Sequence, residues 1–333
     1  MRPPDRPPAA SSPPTVLDAA AVEAAMPDLE ERLALAERSL RALADGTASL
    51  PPKIGLAPRP AGSFAHAMPA WLAGDDPSGA GDLLGLKWVV GFPGNVTAGL
   101  PAIQATVVLN DPRTGAPRAI LDGGPITAQR TAAVSGVALR LFGPPPGARP
   151  ITVGLVGAGV QARSHLSVIA HLLPGARVRV HDRDGGRAAE LVRLATATAG
   201  IGAAATVGSA REAVEGADVV VTLVSFGPPA ERQSFDPAWL AADATIVAVD
   251  YDMSIPASVA RAAARFVTDE RAQFLATRDD GWLAEYPDPP LTLGEALLAG
   301  ARRPAHGRLL ITHLGVGLAD LVFADAILRR SAT

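Results

Sequence analysis

The stretch VGLVGAGVQARSHLSVIAHLLPGARVRVHDRD, from Val153 to Asp184, constrains the fold more than any other part of the chain. An apolar run meets a glycine-rich turn, a helical pattern follows, and a second apolar run closes on acid. That order is a βαβ unit of a parallel sheet. Gly157, Gly159 and Ala162 stand at G-x-G-x-x-A spacing. The first glycine permits the tight turn, the second lets backbone approach a pyrophosphate, and the small third residue lets helix and strand pack closely. Asp182 ends the second strand about 20 residues beyond the fingerprint, where an acid accepts ribose hydroxyls. A carboxylate there favours NAD because it repels a 2′-phosphate. Arg183 beside it can pair with that phosphate and keeps NADP as the alternative.

The rest of the chain divides around this unit. PPPGARP, from Pro144 to Pro150, is a boundary by composition. Beyond it, the apolar runs RVRVHD, AATVG, DVVVTLVS, ATIVAVD and ARFVTD alternate with helical segments, which predicts a doubly wound parallel sheet. Before it, residues 16–45 carry apolar side chains at helical spacing with Gly46 as a stop. Two apolar runs flank NDPRTGAP, a hairpin signal, so the first third reads as α+β with an antiparallel sheet. ITAQRTAAVSGVALRLFG is a helix of small residues ending at Gly143. GLADLVFADAILRRS is helical again and is expected to return to the first unit. Residues 1–14, dense in proline, read as a disordered tail.

Composition excludes several function classes. Among 333 residues there is no cysteine, so disulfides, thiolate metal sites and cysteine nucleophiles are out. The net charge of −3 gives no reason to expect nucleic acid or an anionic membrane. No apolar run is long enough to span a bilayer, and the first residues lack a signal peptide's apolar region. A soluble, cytoplasmic protein is expected. The six histidines are dispersed and make no HExxH pair, so no metal is expected.

The stretch LKWVVGFPGNVTAGLPAIQATVVLNDPRTGAPRAILDGGPITAQRTAAVSG, joined to VGLVGAGVQA and AREAVEGADVVVT, resembles the ornithine cyclodeaminase/mu-crystallin family. The likeness runs from about Val16 onward and includes the terminal HLGVGLADLVFADAIL. It implies a Rossmann domain over residues 131–310. It also implies an α+β substrate-binding and dimerisation domain over 15–130 with 311–333, and a homodimer. Such proteins move a hydride between NAD(P) and the α-carbon of an amino acid or its imine.

Residue by residue, the resemblance places Lys87 (LKWVVGFP) and Arg130 (RTAA) on the substrate carboxylate, where cations and a bidentate guanidinium belong. By their own surroundings, Lys87 reads as a solvated strand lysine and Arg130 as a surface ion pair or a phosphate ligand. Asp252, in VAVDYDMS, falls at the family's catalytic aspartate, able to take or give a proton on substrate nitrogen. Asp250 is its rival, and on a continuing strand would point to the same side. Thr131 matches a threonine on the pyrophosphate, and Gln161 and Ser225 line the cofactor cleft. His165, on the first Rossmann helix, reads as structural.

Two positions depart from the cyclodeaminase pattern. Lys53 stands where the family often has a third, arginine ligand for the carboxylate; it keeps the charge but loses the planar fork. His66, in HAMP, replaces a glutamate that would position a substrate amine. A diamine thereby loses its partner, and His66 either meets a polar or anionic side chain or fills space. The leading expectation is an NAD(P)-dependent oxidoreductase on an amino acid/imino acid pair. The alternatives are a cyclodeaminase releasing ammonia and a cofactor-binding protein without turnover.

Overall fold

The computed structural model describes residues 13–332; most of the proline-rich segment expected to be a tail lies outside them. The first sheet holds β1 (Thr15–Leu17), β2 (Ala48–Ser49), β3 (Ile54–Leu56), β4 (Phe64–Leu72), β5 (Leu83–Gly91), β6 (Ile103–Asn110) and β7 (Pro117–Asp122). Their order is β1-β7-β6-β5-β4-β2, with β3 also paired to β4. Strands β4 to β7 form an antiparallel meander, and β1 joins its edge in parallel with β7. The hairpin expected at NDPRTGAP is the β6–β7 connection. There, Asp111 accepts from the backbone N–H groups of Arg113 and Thr114, each at 2.9 Å.

The helical pattern of residues 16–45 is not one helix. Its first residues form β1, then come α1 (Ala19–Ala24) and α2 (Leu29–Asp45). Pro27 disfavours helix at the residue before it and cannot donate an N–H, while Asp18 and Asp28 cap the two starts by accepting from Ala21 and Glu31. Gly46 closes α2 in the left-handed conformation, as its position predicts. The small-residue helix, α3 (Gly123–Phe142), runs unbroken through residues 130 and 131 and leads out of the first sheet toward the second.

The second sheet is wholly parallel. It comprises β8 (Thr152–Val156), β9 (Ala176–His181), β10 (Ile201–Thr206), β11 (Val219–Thr222), β12 (Thr245–Ala248), β13 (Arg265–Thr268), β14 (Leu291–Thr292) and β15 (Leu309–Thr312). Between them lie α4 (Val160–Leu172), α5 (Gly185–Ala197), α6 (Ala210–Val214), α7 (Ala257–Ala262), α8 (Arg271–Asp279) and α9 (Leu293–Leu298). The order β10-β9-β8-β11-β12-β15-β13-β14 reverses direction between β8 and β11. At such a switch point the loops leaving the carboxyl ends of two adjacent strands part and open a crevice. The sheet is a Rossmann-type doubly wound sheet, as its alternating pattern predicts.

After β15 the chain leaves this sheet and enters α10 (Gly317–Ser331), which packs on α2, α3 and the strands β4, β5 and β6. Nearly every α10 side chain before Arg329 is buried, because the helix is apolar apart from Asp320 and Asp325, which are paired with Lys87 and Arg118. It thereby carries its first turn between the two sheets, where the site lies.

Candidate active site between the two sheets

Lys87 sits mid-strand in β5, paired across the sheet with Met68 and Val107, and is buried. A buried ammonium needs a counter-charge. It finds one in Asp320, in the first turn of α10, whose Oδ2 lies 2.7 Å from Lys87 Nζ. The other oxygen, Oδ1, accepts from Arg130 Nε at 3.0 Å. Arg130 comes from the second turn of α3, so one carboxylate joins β5, α3 and α10. Loss of water and the neighbouring guanidinium bring the Lys87 ammonium down to about 7, although Asp320 opposes the change.

The Arg130 guanidinium lies against Gly315, where a Cβ would fall 2.7 Å from one of its terminal nitrogens. Gly315 also has φ +88°, so both space and conformation demand glycine. Asp269, buried at the end of β13, holds this loop by accepting from the N–H of Gly315 at 2.7 Å. The third cation, Lys53, donates to the Tyr251 hydroxyl at 2.9 Å and to the Leu314 carbonyl. Desolvation lowers it to about 8.

His66 is half-buried on β4, stacked on Phe64 with ring centroids 4.8 Å apart. Desolvation, then the charges of Lys53 and Lys87, lower it to about 4. It is therefore a neutral ring at physiological pH and has no anionic partner among the described residues.

The two aspartates after β12 are separated by Tyr251, whose φ of +59° ends the extended run. They do not share a face, because the strand does not continue to them. Asp250 is clasped: Thr222 donates to Oδ1 and Ser254 to Oδ2, each at 2.7 Å. Burial still raises it to about 6. Asp252 is fully buried, and among the described residues no hydrogen bond of full geometry reaches either carboxylate oxygen. Burial pushes its carboxyl up, with the charge of Arg232 and the nearby Leu283 backbone and Gln233 side chain pulling the other way. Such a carboxylate is costly unless something joins it, and it is poised to exchange a proton.

On the cofactor side, Gly157 has φ +105°, and a Cβ there would fall 2.5 Å from the Leu223 carbonyl oxygen. Gly159 begins α4 with no side chain over its first N–H groups. Ala162 is buried against the sheet, and the buried amide oxygen of Gln161 is unpartnered. Asp182 lies beneath the turn, accepting from Ala158 at 2.7 Å and from Asp184 at 2.8 Å. Arg183 is exposed, 3.7 Å from Glu231. Thr131 donates its hydroxyl proton to Thr127 of its own helix at 2.7 Å, so that proton is not free for a phosphate in this arrangement. Ser225 is exposed in the loop after β11.

His165 belongs to a buried chain. Its Nδ1 lies 2.6 Å from the Gln161 carbonyl, and its Nε2 is 2.8 Å from Ser135 Oγ, which is also 2.8 Å from His313 Nε2. Sequence reasoning passed over Asp320, Asp269, Tyr251 and His313. The readable signal for Asp320 was an acid amid the apolar side chains of a buried helix, a position carboxylates rarely occupy unpaired, though Asp325 on the same helix sends the same signal and pairs with Arg118.

The model of the ornithine cyclodeaminase/mu-crystallin family matches residues 14–260. The chain belongs to this family. A relative spanning most of the chain, the nodulation efficiency protein NfeD of Rhizobium meliloti, is 30% identical over 300 residues, 89% of this chain and 88% of its own. Mouse ketimine reductase mu-crystallin is 36% identical over 166 residues, about half of either chain. Among solved structures, Thermococcus litoralis Δ1-pyrroline-2-carboxylate reductase, in complex with NADH and L-proline, superposes with TM-score 0.79 at 25% identity. It covers 96% of this chain and 97% of its own. An archaeal alanine dehydrogenase dimer with bound NAD gives TM-score 0.80 at 25% identity, over 96% of both. The relatives of this family member thus include NAD-linked reductases and dehydrogenases of small amino and imino acids. Among the described residues, no helix is long and apolar enough to cross a membrane, and no group of three metal-ligating side chains is placed to hold an ion.

Proposed function

We propose that the protein is an NAD-dependent oxidoreductase that moves a hydride between the nicotinamide and the α-carbon of an amino acid/imino acid pair. The observation that carries this reading is Asp252. It is a buried carboxylate with no hydrogen bond of full geometry to its oxygens among the described residues, in the turn after β12, directly beyond Tyr251, whose hydroxyl meets Lys53. Lys53, Lys87 and Arg130 face two acids, Asp320 and Asp269, so the cationic side chains outnumber the acids by one. One substrate carboxylate balances that excess.

The glycine cradle fits a dinucleotide. Gly157 and Gly159 leave backbone N–H groups at the start of α4 for a pyrophosphate, and Asp182 adjoins the ribose position. When bound, the nicotinamide supplies the hydride. Everything else falls to the chain. Lys87 and Arg130, with Lys53, hold the carboxylate and so orient the α-carbon. In the reductive direction the C=N π pair moves to nitrogen as Cα gains hydride, and Asp252 delivers the proton that completes the amine. Because burial raises the Asp252 carboxyl, its protonated form persists to higher pH than that of an exposed aspartate.

The cyclodeaminase reading needs an acid for a second substrate amine. Position 66 instead holds a neutral ring near two ammonium groups, which supports the oxidoreductase. The test is reduction of 2-oxo acids supplied with ammonia or simple amines, following NADH and NADPH separately. Consumption of NADH with amino acid formation is expected. Conversion of a diamino acid to a cyclic imino acid without net NADH turnover would overturn the assignment.

The same reading makes the protein a cytoplasmic homodimer joined through the first domain. Its support is the outer face of the first sheet, where Ile54, Leu56, Trp71 and Trp88 stand exposed together, an apolar surface that favours cover by another chain.

A further inference from the structure

Aromatic residues are few in this chain, at 4% of the sequence, yet five rings converge beside the cation cluster. Phe64 and His66 come from β4, Phe226 from the loop after β11, Tyr251 from the turn after β12, and Trp282 from the segment after α8. Phe226 is the hub, with ring centroids 4.9 Å from Tyr251, 5.2 Å from Trp282 and 6.4 Å from Phe64. Unlike Phe266 and Phe274, which are buried in the core, none of these five is fully buried, and Phe226 is 43% exposed. Half-exposed rings gathered at a crevice mark a contact surface.

The cluster is tied to the reacting groups at two points. Tyr251 precedes Asp252 directly, and its hydroxyl accepts from Lys53 at 2.9 Å. From the geometry of this wall we infer that it receives the substrate's side chain, and that the substrate is a 2-imino or 2-amino acid bearing an aromatic ring. This inference rests on the oxidoreductase reading for its chemistry but not for the binding.

Charge decides what the wall accepts. Aromatic faces attract cations as well as carbon. Here the protein fills those positions itself: the Arg232 guanidinium lies 3.5 Å above the Trp282 ring, and Lys53 Nζ is 5.4 Å from the Tyr251 centroid. A side-chain ammonium would meet those two cations, while a neutral ring meets only π edges and faces, which favour offset and edge-on contact. The neutral His66 ring extends the same surface next to Phe64.

Two measurements test this. In turnover, the imines formed from ammonia with phenylpyruvate and with pyruvate are compared using NADH, in wild type, Phe226→Ala and Trp282→Ala. Wild type is expected to favour the phenyl compound by at least about tenfold in kcat/KM, the scale of burying part of a ring. Phe226→Ala should remove most of that preference while changing the pyruvate reaction by less than about threefold. In binding, L-phenylalanine, L-alanine and L-ornithine are titrated into the NAD+-saturated protein by calorimetry, and phenylalanine should bind tightest with ornithine weakest. Phenylalanine binding without turnover would sustain the wall and sink the oxidoreductase. Turnover of pyruvate imine with no phenyl preference would do the reverse. Equal losses on both imines in Phe226→Ala, or weaker NADH binding in a fluorescence titration, would overturn the inference by assigning the wall to packing or to the cofactor ring.

Discussion

The two sides of the site treat their buried charges in opposite ways. On the side of the first sheet, Lys87 and Arg130 are satisfied within the chain, sharing Asp320 at 2.7 and 3.0 Å. On the rim of the parallel sheet, the Asp252 carboxylate and the Gln161 amide oxygen are also hidden from water but have no hydrogen bond of full geometry among the described residues. The first arrangement fixes cations in place before a ligand arrives. The second leaves polar groups costly until a ligand completes them. Preorganised grip on one side and an unfinished proton and cofactor rim on the other is what hydride transfer requires.

The sharpest way to break this contrast is Asp252→Asn. The amide keeps the shape and cannot relay a proton, so turnover should fall by about 10²–10⁴-fold. NADH binding, followed by fluorescence, should hold within about twofold, since the change leaves the glycine cradle intact. Full activity would remove Asp252 from the chemistry.

Next in size is Asp320→Asn, which strips two buried cations of their shared counter-charge. Breaking a buried pair from one side costs about 3–5 kcal/mol, and the urea midpoint should fall accordingly. An unchanged midpoint would show that the clamp is not held by this carboxylate. A linked pH effect follows from Lys87. Its folded value, about 7, lies below the 10.5 of an unperturbed lysine. Between those values the unfolded chain binds more protons, so this lysine's contribution to stability rises with pH and is flat below about 7. Urea melts of wild type and Lys87→Met at pH 7 and 9 should show the wild type gaining more over that interval.

Legibility in the sequence followed locality. The glycine turn, the stop at Gly46, the hairpin and the alternation of the parallel sheet rest on neighbours in the chain, and the structure has them where the pattern places them. The break at Pro27 was missed because apolar spacing on both sides of it keeps one period. At the site, position along the sequence was readable only through resemblance. Nothing near Lys87 in the chain announces Asp320, which lies 233 residues further on (320 − 87) and meets it only after α10 returns to the first sheet. The split between Asp250 and Asp252 was likewise hidden, since two-residue alternation holds only on a strand, and Tyr251 turns the chain off it.

Gly157→Ala sharpens the cofactor side. The alanine would need φ near +105° and would press its Cβ on the Leu223 carbonyl. Strain of about 1–3 kcal/mol at this turn should weaken NADH binding by at least tenfold, while the clamp, measured by the urea response of a Lys87→Met pair, stays the same. Loss of NADH binding with unchanged folding places the fingerprint's role in the ligand; unchanged binding refutes it.

The smallest expected effect falls on the clasped aspartate, and it tests the contrast from within a single turn. Asp250→Asn keeps one oxygen able to accept from Thr222 or Ser254 and replaces the other with a donor. One of the two short hydroxyl bonds is lost, for about 1 kcal/mol of stability, and turnover should drop by no more than about fivefold. The asymmetry between neighbours is the point. Both carboxyls are buried and both are raised, so burial alone would give them similar roles. Their partners differ: Asp250 is held by two hydroxyls and the Val224 N–H, whereas among the described residues Asp252 has no hydrogen bond of full geometry. If Asp250→Asn instead matched Asp252→Asn in its loss of turnover, with folding intact, the proton path would have to run through Ser254 and Thr222 to Asp250, and the missing partners of Asp252 would lose their meaning.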